Sequence, residues 1–354
     1  MGKRIAVVGT GALGGYVGGW LAHTGEDVTL IDFWPENIEA IRSRGLELDG
    51  VTPEEKITVR NAKTMHLTEM QDLSRQKPID IAFVAMKSYD TEWATALIRQ
   101  YLAPDGYVVS LQNCLNEERI AGVVGWGKTV GMVASLISVD MYEAARIRRT
   151  VAKGGDKHTV FRVGEVHGRI TKRVEELREM VGRIDSAKTT TNLWGERWSK
   201  LCQNGMKNGV SAATGLTGAD CDRNDAIRRF SIKLGGEAVR VGQALGYHIE
   251  KIGKLEPERL ALASEGDKAA LDEIETILRP GSNTNPNPRA DIQRPSMAQD
   301  IRKGRRTEIE FMNGYVAERG TYIGVPAPTH AKLTEIVKKV ERQELKAAPA
   351  LLGG

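Results

Sequence analysis

With 354 residues, 41% of them hydrophobic and 27% charged, the chain is long enough for two domains of ordinary size and has a globular composition. Lys and Arg (50) barely outnumber Asp and Glu (46) and lie scattered, which argues against a nucleic-acid or anionic-membrane surface and leaves a slight bias toward an anionic small molecule. No apolar run approaches the roughly 18–20 residues of a membrane span, and the three cysteines and six histidines fall at no disulfide or zinc-ligand spacing, so the expectation is a reducing, cytoplasmic protein without a metal site.

The first predicted strand, RIAVV over 4–8, runs directly into Gly9-Thr10-Gly11-Ala12-Leu13-Gly14 and then into a helical pattern from Tyr16 to His23. Strand, glycine turn and helix in that order give the GxGxxG spacing a mechanism. Gly9 permits the tight turn, Gly11 lets the backbone approach a pyrophosphate, and Gly14 lets helix and strand pack closely, with Ala12 and Leu13 at the positive end of the helix. A second strand from Asp27 ends at Asp32, close to the interval of about 20 residues at which an acid grips the adenosine ribose. A carboxylate there accepts from the 2′-hydroxyl of NAD and repels the 2′-phosphate of NADP. Neither Arg nor Lys occurs from Ile31 to Glu36, so NAD is the expected cofactor and NADP the alternative, with Arg42 and Arg44 the nearest basic residues beyond.

Further strands are predicted at 79–86, 107–111 and 130–139, separated by helical stretches such as 91–101. This βαβ alternation predicts a Rossmann-type parallel sheet with helices on both faces. Lys87 and Asn113 follow two of these strands and fall where nicotinamide and substrate should lie, although a solvated loop lysine and a turn-forming asparagine would read the same way. From about residue 192 the pattern turns helical: 193–213, 225–245, 256–264, 268–278, 296–322 and 328–343, with a Pro, Asn and Gly cluster over 279–288 as a loop. The predicted organisation is a dinucleotide-binding domain over 1–190, a mostly α-helical catalytic and substrate domain over 191–345, and a disordered tail over 346–354.

Lys200, Asn204 and Asn208 recur every four residues and share one face of the predicted helix 193–213. Gln203, Lys207 and Ser211 widen that polar side, and by helical geometry alone it reads as a solvated face. Downstream, Arg294-Pro295-Ser296-Met297 and Thr307-Glu308-Ile309 through Asn313-Gly314 add a serine and a glutamate twelve residues apart. Alone, these read as a helix cap and a surface acid.

Taken together, the glycine turn, Lys87, Asn113, the segment Trp198 to Asn208 and the paired SMxxD and TEIxxxNG elements resemble the ketopantoate reductase (2-dehydropantoate 2-reductase) family, from the first strand to about residue 340. The resemblance implies hydride transfer between a nicotinamide cofactor and a 2-oxo acid. It implies Lys200 as general acid, Glu308 as its assisting acid, Asn204, Asn208 and Ser296 as substrate contacts, and Lys87 and Asn113 lining the cleft. An ammonium suits this chemistry independently, because hydride addition places negative charge on the carbonyl oxygen. Two features depart from the family pattern: Asp32 where most members carry a basic residue, and longer stretches around 146–159 and 255–293. The expectation is therefore an NAD-linked dehydrogenase or reductase of a small 2-oxo or 2-hydroxy acid or related secondary alcohol. A true NADPH-dependent 2-dehydropantoate 2-reductase and a non-catalytic NAD-binding sensor are the alternatives, and the sensor would need neither Lys200 nor Glu308. A homodimer is expected from base rates, with Phe311, Tyr315 and Val316 either pairing between subunits or forming core.

Overall fold

The computed structural model describes residues 2–279 and 294–353. The loop read at 279–288 and the later part of the stretch 255–293 lie almost wholly outside the described residues. Two compact units divide the chain, Met1–Leu193 and Trp194–Gly354.

Among the described residues, the strands of the first unit are β1 (Arg4–Val8), β2 (Asp27–Asp32), β3 (Leu46–Asp49), β4 (Ile57–Val59), β5 (Lys63–His66), β6 (Ile79–Val84), β7 (Leu102–Ser110), β8 (Thr129–Ala134), β9 (Val139–Glu143), β10 (Arg146–Arg149), β11 (Phe161–Glu165) and β12 (Ala187–Thr189). The main sheet has the order β12-β11-β8-β7-β6-β1-β2-β5. It is parallel from β5 through β8, and β11 joins antiparallel with β12 parallel to it. The order reverses at β1, with β2 on one side and β6 on the other, which creates the crevice where ligands of such sheets collect.

Alternation along the strands builds a core on each face. Ile5, Val7, Leu30, Phe83 and Val109 point to one side, toward Tyr16, Val17 and Leu21 of α1 (Ala12–His23) and Val174, Leu177 and Val181 of a later helix (Lys172–Gly182). Ala6, Val8, Ile31, Ala82 and Val108 point to the other, against Ala94 and Ile98 of the helix Thr91–Arg99 and Ile120 of the helix Glu117–Val124.

A second sheet of order β4-β3-β10-β9 departs from the sequence reading, which placed no strands at 46–59 and carried one strand through 130–139. In the structure β8 ends at Ala134, and Val139 begins a hairpin that returns to pair with β3. Part of the apparent insertion at 146–159 is thus β10. Helix α1 fits between the two sheets because its glycines form two stripes. A Cβ on Gly18 would strike Leu30 of the main sheet, whereas one on Gly15 would strike Ile147 and one on Gly19 would strike Leu46 and Leu48 of the second sheet.

The second unit is built of helices: α2 (Leu193–Gly205), which begins at the unit boundary, α3 (Asn208–Thr214), α4 (Gly218–Arg223), α5 (Asp225–Ala244), α6 (Pro257–Glu265), α7 (Lys268–Leu278), α8 (Ser296–Arg302), α9 (Ile309–Tyr322) and α10 (Pro328–Glu341). Two helices expected to be continuous are interrupted, at 206–207 and at 303–308. The expected disordered tail is also corrected: Pro349–Leu352 forms a 3-10 turn, Leu352 is buried, and the amide of Ala348 donates to the carbonyl of Ala213. Tyr315 and Val316 face inward within this unit, Val316 being buried and the Tyr315 ring lying 6.3 Å from that of Trp198.

Candidate active site

The glycine turn has the geometry that a dinucleotide requires. Gly9 has φ +98°, a left-handed conformation, and a Cβ there would lie 2.7 Å from Met86 Sδ and 2.9 Å from the Ala85 backbone. A Cβ on Gly14 would collide with the carbonyl oxygen of Gly9, whereas one on Gly11 would meet open space. Gly11 caps α1 without a side-chain hydrogen bond, and the first turn carries no acid, so the amides of Ala12, Leu13 and Gly14 can meet an anion at the positive helix end. These residues fit the pyrophosphate of a nicotinamide dinucleotide.

Asp32 has a more internal task than its spacing suggests. It is 5% exposed, and its carboxylate accepts four hydrogen bonds from the protein itself. Oδ2 takes the Thr10 amide at 3.0 Å and Asn37 Nδ2 at 3.2 Å, and Oδ1 takes the amides of Phe33 at 2.8 Å and Trp34 at 3.2 Å. Those four donors match the roughly four lone-pair sites of a carboxylate. Burial pushes its pKa above the ordinary value, opposed by these same hydrogen bonds. Asp32 therefore fastens the glycine turn to the end of β2.

Asn37, which sequence reasoning passed over, completes this fastening. It is fully buried, its Nδ2 also donates to the Thr10 carbonyl at 3.1 Å, and its Oδ1 accepts the Ala145 amide of the second sheet's hairpin at 2.8 Å. No local spacing announces a bond across 108 residues.

Lys87 and Asn113 are half-buried beyond the carboxyl ends of β6 and β7. Their loops are cross-linked by buried polar side chains: Gln112 Nε2 donates to the Met86 carbonyl and to Thr91 Oγ1, both at 2.8 Å, and Asn116 Nδ2 donates to Ser88 Oγ at 3.1 Å and to the Asn113 carbonyl at 2.9 Å. Cys114, between them, takes φ +65°. A non-glycine residue in that region carries local strain, of the kind that collects at functional loops.

In the second unit, Lys200 and Asn204 are half-buried on α2, one turn apart. Asn208 is 8% exposed and opens α3, so it does not simply continue their face as an unbroken helix would require. Ser296 is the first residue of α8, which packs against α3, and this brings the serine's helix to the asparagine's. Glu308 is 5% exposed and caps the amino end of α9. The interruption at 303–308 separates Ser296 and Glu308 onto two elements. Among the described residues no cluster of three or more His, Cys, Asp or Glu could hold a metal, and no helix is long and apolar enough to cross a membrane.

Comparison with known proteins agrees with this architecture. The family model described as Ketopantoate reductase PanE/ApbA matches residues 5–157, and the one described as Ketopantoate reductase PanE/ApbA C terminal matches residues 192–341. The 2-dehydropantoate 2-reductase of Pyrococcus horikoshii is 27% identical over 96% of this chain and 97% of its own, and that of Halobacterium salinarum is 28% identical over 96% and 99%. Among solved structures, a PanE/ApbA family ketopantoate reductase from Ralstonia eutropha superposes with a TM-score of 0.75 at 24% identity, covering 97% of this chain and 99% of that one. A D-mandelate dehydrogenase in a ternary structure with NADH and anilino(oxo)acetate superposes with a TM-score of 0.78 at 19% identity, covering 96% and 99%. Because the two family models together span well over half of the sequence, in the order and at the places where the two structural units lie, the chain belongs to the ketopantoate reductase family of nicotinamide-dependent oxidoreductases.

Proposed function

We propose that this protein transfers a hydride between NAD(H) and a small, anionic 2-oxo or 2-hydroxy acid. The observation that carries the reading is the joint presence of Lys200 and Asn204 on one face of α2, buried Asn208 opening the next helix, and Ser296 on a helix packed against it, in a chain of this family. Bound nicotinamide supplies or accepts the hydride at the substrate carbon. In the reductive direction the Lys200 ammonium stabilises the negative charge that develops on the carbonyl oxygen and delivers the proton to it. Glu308 assists near the lysine. Asn204, Asn208 and Ser296 hold the substrate through neutral donors that add no charge to compete with Lys200. Gly9, Gly11, Ala12, Leu13 and Gly14 cradle the pyrophosphate, Asp32 acts through that turn, and Lys87 and Asn113 line the nicotinamide end.

Charge around the end of β2 supports NAD over NADP. No cation occurs from Phe33 to Glu36. Arg42 pairs with Glu39 at 2.8 Å and Glu69 at 2.5 Å, and Arg44 with Glu143 at 3.0 Å, so both basic groups beyond are already engaged by carboxylates. A second reading is NADPH-dependent reduction of ketopantoate, its substrate favoured by the names of the curated relatives, each a 2-dehydropantoate 2-reductase. Buried cysteines suit a reducing cytoplasm, and a homodimer is in keeping with a dimeric ketopantoate reductase from Staphylococcus aureus of the same fold.

The test measures oxidation of NADH and NADPH by the purified protein with ketopantoate, and NAD reduction with a panel of 2-hydroxy acids and other secondary alcohols. NADH-linked turnover of a 2-oxo acid is the expected result. Turnover of ketopantoate with NADPH alone would install the second reading, and binding of NADH without turnover of any compound would leave a sensor.

A further inference from the structure

The polar stripe of α2 and α3 is interrupted where a regular helix would have been the simplest solution. Gly205 ends α2, residues 206–207 form a turn, and α3 starts at Asn208, with Lys207 at φ −124° and ψ −45°. The interruption falls between Asn204 and Asn208. In an unbroken helix the Gly205 carbonyl would accept from the amide four residues on. Here it accepts from Asn313 Nδ2 at 3.0 Å, a side chain on α9 more than 100 residues away.

Asn313 is fully buried and is itself oriented by a second fully buried side chain, His330 of α10, whose Nδ1 lies 3.1 Å from Asn313 Nδ2. His330 Nε2 lies 2.8 Å from the Leu234 carbonyl of α5. A carbonyl only accepts, so Nε2 carries the proton and Nδ1 is left as the acceptor for the Asn313 amide. Burial pushes the His330 pKa down to about 4, which keeps the ring in this neutral form at physiological pH.

The Asn313 amide also fits between the two glycines that flank the break. A Cβ on Gly205 would lie 3.5 Å from Asn313 Nδ2 and 3.4 Å from His330 Cε1, and one on Gly209 would lie 3.2 Å from Asn313 Oδ1. That oxygen is buried with no hydrogen-bond partner among the described residues. A side chain present only for packing would not carry that cost, since an apolar residue of the same size avoids it.

We infer that Asn313, oriented by His330, is a positioning residue: it holds the interruption between α2 and α3 and thereby sets Asn208 relative to Lys200 and Asn204. The inference rests on the reading of those three side chains as acid and substrate contacts. It adds two residues that touch neither substrate nor cofactor but determine the geometry of those that do. Substrate affinity then depends on Asn313, while the cofactor cradle in the first unit does not.

The experiment uses the full chain and four variants: Asn313→Ala, Asn313→Leu, His330→Gln and His330→Leu. Asn313→Leu keeps the volume and removes the unpaired oxygen, so it guards against a loss caused by misfolding alone. His330→Gln can still donate to Leu234 and accept from Asn313. The KM for the 2-oxo acid turned over by the wild type should rise about tenfold or more in both Asn313 variants and in His330→Leu, the equivalent of one lost buried hydrogen bond. It should stay near the wild-type value in His330→Gln, and the Kd for NADH should be unchanged throughout. Hydrogen–deuterium exchange in the peptide spanning 201–214 should accelerate in the same three variants. A merely structural role would lower Tm and the active fraction without moving KM, so a wild-type KM in folded Asn313→Leu overturns the inference. If the wild type turns over no 2-oxo acid, the functional reading and the positioning role fall together. Unchanged exchange over 201–214 in Asn313→Ala overturns the clamp itself.

Discussion

In the proposed reaction Lys200 and Asp32 have different tasks. Lys200 is useful only if its ammonium meets the developing oxyanion, so its removal should act on the chemical step. Lys200→Ala should lower kcat by about 10²–10⁴-fold while NADH affinity, measured by fluorescence titration, stays within about twofold of wild type. Asp32 works one layer below. Its four acceptor bonds hold Thr10, Phe33, Trp34 and Asn37, and Asp32→Ala would leave buried donors unpaired. The expected outcome is a loss of about 1.5–3 kcal/mol in denaturant stability together with weaker binding of NADH and NADPH alike. A hook on the ribose hydroxyl would instead weaken NADH selectively and relax the rejection of NADPH, so the ratio of the two dissociation constants separates the roles.

At the scale of elements, the strand, turn and helix of the first forty residues are held in register by glycines with different duties, and substitution should expose the difference. A Cβ on Gly14 meets backbone, the Gly9 carbonyl oxygen, and lies 2.8 Å from Ala85 Cβ, so relief requires moving the turn or the helix. Gly14→Ala should cost about 1–3 kcal/mol of stability and abolish tight cofactor binding. A Cβ on Gly11 meets nothing within 4 Å, and the residue's φ of −71° is open to any side chain. Gly11→Ala should therefore leave the unfolding midpoint unchanged and weaken cofactor binding alone, because in the proposed cradle the added methyl would stand in the path of the pyrophosphate. The interruption between α2 and α3 belongs to this scale too. The local run from Leu193 to Ala213 contains no proline and its polar stripe continues through Asn208, while its Asn204-Gly205 and Asn208-Gly209 pairs are turn signals that permit a break without requiring one.

Taken whole, the molecule carries a built-in acid sensitivity. His330 is neutral and fully buried, with its pKa lowered to about 4 from an ordinary 6.5. The unfolded chain then binds one more proton than the native one between these values, so stability falls as pH drops from 6.5 and the loss is complete near 4. At roughly 1.4 kcal/mol per pH unit, the contribution is on the order of 3 kcal/mol. Urea unfolding at pH 7 and pH 4.5 should show a larger acid loss in the wild type than in His330→Gln. Equal losses would remove His330 from the account.

Much of this organisation is legible in the chain itself, and the limit is set by the range of the interactions. The sequence by itself determined the glycine turn, the alternating strands that face two cores and the helical second half, because each is carried by periodicity or spacing within a few dozen residues, and its motifs carried the resemblance to the ketopantoate reductase family. It also marked Lys200, Asn204, Asn208, Ser296 and Glu308, through motifs rather than through any local geometry. Only the tertiary structure decided that Asp32 turns inward, that β3 pairs with β10 about a hundred positions later, that the final residues pack instead of fraying, and that a helix ends at Gly205. At Gly205 a buried carbonyl finds its partner in a side chain remote in sequence, Asn313, whereas Asp32 is held by its near neighbours Phe33, Trp34 and Asn37 and by the Thr10 amide, and Asn37 carries the link onward to Ala145. Burying a carbonyl or carboxylate without a partner costs more than bending the element that carries it, so hydrogen-bond satisfaction across the fold overrides the local helical pattern at Gly205.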